Sequence, residues 1–467
     1  MGSDYPTKAL KDVGVKLYDC VHATPKATQK GYPYIAIPNI QESRISLNDV
    51  RVISKKDYAE WTKKLKPQEG DVIVTRRGRV GDIATIPKGL ECAIGQNLII
   101  LRSEGDQVSQ RYLRWVLSGP QYKIEVAKYL NVGAVFDSLN CRDIPKFELP
   151  FPDIDKQKSI AAFFDSIQEK IELNQQLNQT LEQISQAIFK SWFVDFEPVK
   201  AKEHIRKMGG NSDQIEKVAQ SIISGAVNLD DILKGSDLTD INAKIESKLD
   251  AKIELRTNEQ KNELVETAKL FPSSLIESEL GLIPEGCACS NVKNILKRLR
   301  PPKRYTKKQV QPYGEVPVFE QGAGLLLGFH DDPPGFEPTL NNPIFIFGDH
   351  TCLMHLSISP FDISQNVIPI QGKARSTIWV YYAVKDLQKF QEYRRHWSEL
   401  IVKKIVISPK PLCTVFEKVV TTNHLKIEKN HIQNKELKRI RDALLPKLLS
   451  GELNNHRLQA GGFKLAD

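Results

Sequence analysis

Histidines and cysteines that lie close together in the chain are the first candidates for chemistry, because they are the usual ligands of zinc. His350, Cys352 and His355 fall within six residues, and Cys287 and Cys289 supply two further thiols. Their spacing matches no familiar closed zinc site. We therefore interpret them as buried thiols and loop histidines, and we predict no metal site.

Two other motifs resemble parts of enzymes but lack what those enzymes need. Residues 332–335 have the Asp-Pro-Pro form of the loop with which amino-methyltransferases grip an exocyclic amine, yet Gly335 stands where an aromatic ring would stack. The glycine-rich segment 319–324 is only about eight residues away, too close for a cofactor-binding βαβ unit. Glu436 and Lys438 have a nuclease-like spacing but lie on a predicted helix, and no phosphate-binding Gly-x-x-x-x-Gly-Lys-Ser/Thr loop occurs. We predict no catalytic residue.

Clusters of positive charge are more informative. Eight Lys or Arg residues and no acid occur between Lys293 and Lys308. In the first half, a turn after a predicted strand carries Arg76, Arg77 and Arg79. In the second half, Arg375 and residues 394–396 add further positive charge. Positive side chains on such loops suit contacts with phosphates, and Arg can also form paired hydrogen bonds with guanine. For any one cluster, a solvated charged surface is the alternative.

Length and composition indicate a globular protein of several domains. The chain has 467 residues, of which 40% are hydrophobic and 26% charged, and its formal net charge is +9. These values exclude a wholly disordered, collagen-like or disulfide-rich secreted chain. At roughly 100–200 residues per domain, roughly two to four domains are expected. The sequence shows no membrane-spanning apolar run and no signal peptide, and its seven scattered cysteines suit a reducing cytoplasm.

The chain repeats itself at a separation of 256 residues. Eight identical pairs keep this separation without a gap: Lys170/Lys426, Ile171/Ile427, Glu172/Glu428, Asn174/Asn430, Asn178/Asn434, Leu181/Leu437, Ile184/Ile440 and Ala187/Ala443. A second match, residues 95–99 with 364–368, has a separation of 269, so the connecting loops differ in length. The sequence predicts a tandem duplication, in which each copy is a mixed region followed by a long helix.

The long helices show apolar residues at every third or fourth position, which is typical of a coiled coil. The residues predicted to pair them and to support subunit assembly are Ile171, Leu181, Ile184, Leu437 and Ile440. A helical hairpin inside one core is the alternative. The predicted domains are mixed regions at 1–150 and 281–408, helices at 151–199 and 409–453, a polar connector at 200–280 and a tail at 454–467. We interpret the connector as mobile, with some helix around 241–255.

Five short motifs are spread along nearly the whole chain. They are Gly-Asp-Val-Ile-Val-Thr-Arg-Arg-Gly at 70–78, Gln-Asn-Leu at 96–98, Ser-Trp-Phe-Val-Asp-Phe-Glu-Pro-Val at 191–199, Leu-Gly-Leu-Ile-Pro-Glu-Gly at 280–286 and Leu-Leu-Pro-Lys-Leu-Leu-Ser-Gly-Glu-Leu at 444–453. With the tandem layout, they make the chain resemble the specificity subunit of a type I restriction–modification system. Cys287 departs from the Trp frequent in that family, and residues 347–351 replace the Arg-Gly turn. The second difference favours two domains of different specificity.

The resemblance implies an α+β fold with two mixed α/β target recognition domains in tandem, at 1–150 and 281–408. Two long helices would separate them, paired as an antiparallel coiled coil with pseudo-twofold symmetry. Each domain would read one half of a split DNA target. The implied partners are double-stranded DNA, two methylation subunits and restriction subunits, with no membrane. S-adenosylmethionine is expected on the methylation subunits and no cofactor in this cytoplasmic chain, which would not itself be an enzyme.

Seven residues are our candidates for contact with DNA. They are Arg76, Arg77 and Arg79 in the first domain, and Lys303, Arg304, His350 and Arg375 in the second. Gly78 and Gly81 are expected to serve turn geometry. Two rival hypotheses are a coiled-coil scaffold that binds DNA without sequence preference, and a fused restriction–methylation enzyme, for which the cofactor and metal motifs are missing.

Overall fold

The computed structural model describes residues 4–41, 43–133, 137–235, 237–254, 256–322, 324–392 and 394–453. The tail predicted at 454–467 lies outside these ranges. The chain forms two compact units. The first unit consists of Met1–Asn174 with Gln433–Asp467, and the second of Gln175–Ile432. Each unit therefore contains one mixed region and parts of both long helices.

The mixed region of the first unit is built of short strands. They are β1 (Thr7–Ala9), β2 (Val15–Asp19), β3 (Tyr32–Ile35), β4 (Ile40–Gln41), β5 (Arg44–Ile45), β6 (Arg51–Ile53), β7 (Val72–Thr75), β8 (Ile83–Thr85), β9 (Ala93–Ile94), β10 (Leu98–Ser103) and β11 (Glu148–Pro150). Its helices are α1 (Lys55–Trp61), α2 (Gln110–Val116) and α3 (Pro120–Lys128). An antiparallel sheet in the order β2-β10-β7-β8 stands beside a three-stranded sheet, β6-β3-β9, in which β3 and β9 are parallel. Strands β1 and β11 pair, as do β4 and β5.

The second unit repeats this topology. Its first long helix and helical segment comprise α4 (Ile154–Phe193, which begins in the first unit), α5 (Glu197–Lys207), α6 (Ser212–Ile223), α7 (Leu229–Leu233), α8 (Leu238–Ile253) and α9 (Asn258–Lys269). Its strands are β12 (Leu275–Ser278), β13 (Gly281–Pro284), β14 (Ala288–Asn291), β15 (Leu296–Arg298), β16 (Val316–Phe319), β17 (Leu326–His330), β18 (Ile344–Gly348), β19 (Met354–Ser357), β20 (Asp362–Ile363), β21 (Val367–Gly372) and β22 (Lys404–Ile407). Helices α10 (Thr377–Val384), α11 (Trp397–Val402) and α12 (Lys410–Ser450) follow. The sheets β15-β21-β18-β19, β17-β16-β20 and β14-β22 match those of the first unit strand for strand.

The segment interpreted from the sequence as a mobile connector is instead a packed helical module. Helices α5 to α8 bury a core that includes Ile205, Val218 and Ile241, and α9 packs against α6. The ammonium group of Lys202 is also buried, 2.8 Å from a carboxylate oxygen of Glu216 and hydrogen-bonded to two backbone carbonyl groups. The polar composition that suggested mobility belongs to the solvent-facing sides of these helices, while apolar residues at helical spacing face inward.

Helices α4 and α12 are 40 and 41 residues long, and they pair antiparallel within the first unit. The side-chain amide of Asn174 donates to the side-chain oxygen of Asn434 over 2.9 Å and to that of Gln433 over 2.7 Å. The amide of Asn434 in turn donates to the backbone carbonyl of Ile171. Both asparagines are buried. Buried polar pairs of this kind specify the register of paired helices.

The second unit makes the same contacts with the repeated residues. Asn430 donates to Asn178 over 2.7 Å, and the amide of Asn178 donates to the backbone carbonyl of Ile427. Each of these residues lies 256 positions from its counterpart in the first unit. The predicted tandem repeat with an antiparallel helix pair is therefore confirmed by matching hydrogen bonds.

Four of the five residues predicted to pair the helices are at least partly buried. Ile171 and Leu437 belong to the core of the first unit, against which Ile440 is also packed. Leu181, in the second unit, is half-buried.

Ile184 does not lie buried between the two helices, because its side chain is 46% exposed, and its place at an interface with a partner subunit stays a prediction. The neighbouring Ser185 is buried instead and hydrogen-bonds to Asn423 of α12. The position that faces α12 is therefore one residue later than the apolar pattern predicted, because the small side chain of Ser185 occupies it.

Each mixed region packs against the beginning of one long helix and the end of the other. In the first unit the core includes Ile160 and Phe164 of α4 with Leu445 and Leu448 of α12. In the second unit it includes Phe416 and Val420 of α12 with Phe189 and Trp192 of α4. These eight residues form four pairs at a separation of 256, so the duplication extends to the packing.

The contrast between Ile171 and Ile184 gives a stability prediction. We expect Ile171→Asp to lower the free energy of unfolding by about 3–5 kcal/mol, because it buries an unpaired charge. Ile184→Asp should change it by less than about 0.5 kcal/mol, because the position is exposed. Urea denaturation followed by circular dichroism measures both. Equal losses in the two variants would contradict the burial pattern described above.

Candidate nucleic-acid interface

The loop that follows the central strand β7 begins with an arginine that serves the fold. One Arg76 guanidinium nitrogen lies 3.5 Å from a carboxylate oxygen of Asp19, and another donates to the backbone carbonyl of Leu139 over 3.3 Å. Its backbone N–H donates to the carbonyl of Asn97 over 2.8 Å. Asn97 has a left-handed backbone with φ of +66°. Arg76 therefore joins three segments of the first unit and has little of its charge left for DNA.

The next two cations in this loop are more accessible. Arg77 is exposed and its backbone pairs with Ser138 in an antiparallel bridge. Arg79 is half-exposed, lies 3.3 Å from Asp82 and donates to the backbone carbonyl of Ile37. Gly78 and Gly81 between and beyond them have positive φ, as the expected turn geometry requires. Of the three predicted arginines, Arg77 is the one most available to a ligand.

The second unit builds the same loop after β18 with different side chains. The backbone N–H of Asp349 donates to the carbonyl of Asn366 over 2.9 Å, and Asn366 is left-handed with φ of +60°. Asp349 therefore takes the place of Arg76, and His350 takes the place of Arg77. The N–H of His350 donates to the side chain of Gln321 over 3.0 Å. The sequence matched residues 347–351 to the Arg-Gly turn as a whole. The hydrogen bonds of Arg76 to Asn97 and of Asp349 to Asn366 show which residues correspond, and they place His350 at the position of Arg77.

The basic segment of the second unit contains one bracing and one exposed cation. Arg304 is half-buried and donates to the carbonyls of Ser364 and Val367 over 2.6 and 2.9 Å, which holds the loop before β21. Lys303 is exposed, lies 2.9 Å from Asp332 and sits 4.2 Å above the ring of Tyr305. The hydrogen bond to Asp332 raises the pKa of Lys303.

Tyr305 anchors this basic segment in a buried polar network. Its ring stacks on His330 at 4.1 Å, and His330 lies 3.1 Å from a carboxylate oxygen of Asp362. The same oxygen accepts the backbone N–H of Gly335 over 2.9 Å. The Asp-Pro-Pro-Gly loop thus packs against the network through its glycine, which is a structural role in the second unit.

Arg375 lies apart from these loops. Two of its guanidinium nitrogens donate to the backbone carbonyl of Ser408 over 3.1 and 2.9 Å, and a third donates to that of Ala374. These contacts brace the connection between β22 and α12. Further cations of the basic segment are exposed and were not among the candidates: Lys297, Arg298, Arg300, Lys307 and Lys308.

One group of side chains that could act as metal ligands lies near Arg76. In the described ranges, one group has its potential ligand atoms within 4.8 Å of one another, and it consists of Asp19, Cys20 and His22. Asp19 already faces the guanidinium of Arg76. His350, Cys352 and His355 do not form such a group, and desolvation lowers the pKa of His355 to about 3, so its ring is neutral.

Comparisons with known proteins show what the chain is similar to. Residues 2–183 match the model of the type I restriction modification DNA specificity domain. The HindI specificity subunit of a type I restriction enzyme from Haemophilus influenzae is 28% identical over 351 residues, which cover 68% of this chain and 72% of the relative. The MjaIX specificity subunit from Methanocaldococcus jannaschii is 26% identical over 475 residues, covering 97% and 95%. Residues 2–183 therefore carry a type I restriction modification DNA specificity domain, and the chain is similar to type I specificity subunits over most of its length.

These similarities confirm the resemblance drawn from the sequence motifs, and they support a role in DNA sequence specificity. The scaffold without sequence preference and the fused enzyme are not favoured. A crystal structure of a type I restriction–modification S subunit from M. genitalium covers 96% of each chain at 14% identity, with a TM-score of 0.47. Within the described residues of the chain, no helix combines the length and the apolar character needed to cross a membrane.

The different surroundings of Arg76 and Arg77 give a prediction that separates fold from recognition. Arg76→Ala should lower the free energy of unfolding by about 1–3 kcal/mol, because Asp19 and the carbonyl of Leu139 lose a partner. Arg77→Ala should change it by less than about 0.5 kcal/mol and should instead weaken DNA binding. Thermal unfolding and fluorescence anisotropy with duplex DNA measure the two effects. A loss of stability in the Arg77 variant alone would reverse these assignments.

Proposed function

We propose that this chain reads a bipartite DNA target, one half with each unit, and directs the methylation and restriction subunits of a type I system to it. The observation that carries this proposal is the loop built twice on the same hydrogen-bonded frame. Arg77 in the first unit and His350 in the second follow equivalent residues whose N–H groups bond to Asn97 and Asn366. Equivalent positions with different side chains suit two half-sites of different sequence.

The chemistry of these loops fits base recognition. Arginine can form paired hydrogen bonds with guanine in the major groove, whereas histidine offers one donor or acceptor at each ring nitrogen. Exposed cations nearby, such as Lys307 and Lys308, supply the phosphate contacts that position a protein on the duplex. In this proposal, Arg76, Arg304 and Arg375 act indirectly by holding the loops, because their guanidinium groups already bond to the protein.

The proposal assigns the catalytic steps to partner subunits. Two methylation subunits would bind S-adenosylmethionine and modify adenine, and restriction subunits would join the assembly in the cytoplasm. The repeated helix contacts, Asn174 with Asn434 in the first unit and Asn430 with Asn178 in the second, provide two equivalent helix pairs. This equivalence supports a pair of methylation subunits, one for each unit.

A methylation map tests the addressing function. We expect long-read sequencing of the native genome to show a split, adenine-methylated motif that vanishes when this gene is deleted. The control is the deletion strain complemented with the intact gene, which should restore the motif. An unchanged methylome in a strain that transcribes the gene, together with purified complexes that bind all duplexes equally, would contradict the proposal.

The two loops should be separable within that motif. Arg77→Ala should relax or abolish recognition of one half only, and His350→Ala should affect the other half only, because each residue lies in a different unit. A correct base contact is worth about 1–3 kcal/mol, so affinity for the cognate site should fall roughly 5- to 150-fold. Binding to a panel of duplexes altered in one half measures this. If both variants affected the same half, the assignment of loops to half-sites would be wrong.

A further inference from the structure

Each unit has an exposed apolar side chain in a segment that is hydrogen-bonded to the loop of its candidate DNA contact. Val132 in the first unit is 82% exposed, and Phe390 in the second is 54% exposed. Single exposed apolar side chains are common and need no special explanation. The position of these two residues relative to Arg77 and His350 is what makes them informative.

In the first unit, hydrogen bonds connect the segment that carries Val132 to the loop that carries Arg77. Asn131, which precedes Val132, exchanges two backbone hydrogen bonds with Ser138, at 2.9 and 3.0 Å. Ser138 is also bridged to Arg77, and the N–H of the following Leu139 donates to the carbonyl of Arg76 over 2.9 Å. Val132 therefore projects from a short ladder whose other edge is the loop that carries Arg77.

The second unit attaches its loop at the equivalent place. The N–H of His396 donates to the carbonyl of Asp349 over 2.7 Å, which repeats the bond between Leu139 and Arg76. His396 is fully buried, and its ring contacts Phe390 edge-on, with the centroids 6.1 Å apart. A ring nitrogen of His396 also lies 3.1 Å from the carbonyl oxygen of Glu392. The buried histidine thus secures the segment that presents Phe390.

Charge in the same segments indicates the nature of the partner. Arg77 and Arg142 are exposed in the first unit, as are Lys389 and Arg395 in the second. Arg142 lies 3.9 Å from Asp143, and Arg395 lies 3.8 Å from Asp349. Arg394 lies closer to its acids, 3.3 Å from Glu392 and 2.9 Å from Glu399. An apolar side chain flanked by cations suits duplex DNA, whose phosphates attract the cations. The base edges and thymine methyl groups in the grooves accept apolar contacts, which phosphates do not.

We propose that Val132 and Phe390 are specificity-determining residues that make apolar contacts with base pairs, one in each half-site. This inference rests on the proposed reading of DNA by the two units and adds a second contact element to each. In each half-site the polar side chain, Arg77 or His350, forms hydrogen bonds. The neighbouring apolar side chain reads shape and methyl groups.

The test uses the full chain assembled with its methylation subunits, and two duplexes of equal length at one salt concentration. One duplex carries the target found by the methylation map, and the other carries the same bases in scrambled order. Val132→Ala removes two methyl groups, and we expect about tenfold weaker binding to the target. Phe390→Ala should weaken it at least as much. Binding of both variants to the scrambled duplex should equal that of the wild type.

Matched controls come from exposed apolar residues elsewhere in the same units. Ile124→Ala in α3 and Leu282→Ala in β13 remove side chains that are 57% and 55% exposed, and neither should change binding. Thermal unfolding should be the same for all four variants.

Three outcomes distinguish the possible errors. If the variants Val132→Ala and Phe390→Ala bind the target as tightly as the controls do, the inference is overturned while the proposed function stands. If they lose equal affinity for both duplexes, the residues do not contact bases. If the wild-type complex itself does not distinguish the duplexes, the proposed function fails.

Discussion

Buried amide groups between the two long helices set the register on which each unit depends. Asn174 with Asn434, and Asn430 with Asn178, place polar groups where water is excluded. A buried amide without a partner costs about 1–3 kcal/mol, so sliding one helix along the other would be penalised at each pair. Each mixed region packs against the beginning of one helix and the end of the other. The register of the helices therefore decides which apolar side chains meet the sheets.

The same separation of frame and variable side chain recurs in the loops after β7 and β18. The frame is a backbone hydrogen bond to a left-handed asparagine, Asn97 or Asn366, and it is the same in both units. The following side chain is free to differ, as Arg77 and His350 do. Because backbone hydrogen bonds are independent of side-chain identity, the loop can change what it recognises without changing how it folds.

Formal charge is a poor guide to which cations meet a ligand. Arg76, Arg304 and Arg375 are in basic clusters, yet their guanidinium groups bond to carbonyl oxygens of the protein. Arginine serves such a role well because it presents five donors in a planar array. Exposed cations differ in the same way, because Arg77 is exposed whereas the ammonium group of Lys303 lies 2.9 Å from Asp332.

Much of the fold follows from local patterns in the sequence. The repeat at 256 residues, the two long helices and the central strands are visible because helices and strands have characteristic periods, and the motifs at 70–78 and 444–453 pointed to the family. The predicted helix at 151–199 corresponds to α4, Ile154–Phe193, and α12 ends at Ser450 within the range predicted for the second helix.

Tertiary structure alone decided several other properties. The exposure of Ile184, the packing of the helical module at α5–α9, the bracing role of Arg76 and the equivalence of Arg77 with His350 depend on residues far away in the chain. Local periodicity reports which side of an element is apolar, but not which distant carbonyl or side chain lies opposite it. Hence the sequence by itself indicated the family resemblance, the duplication and the long helices, whereas long-range packing decided which side chains remain exposed.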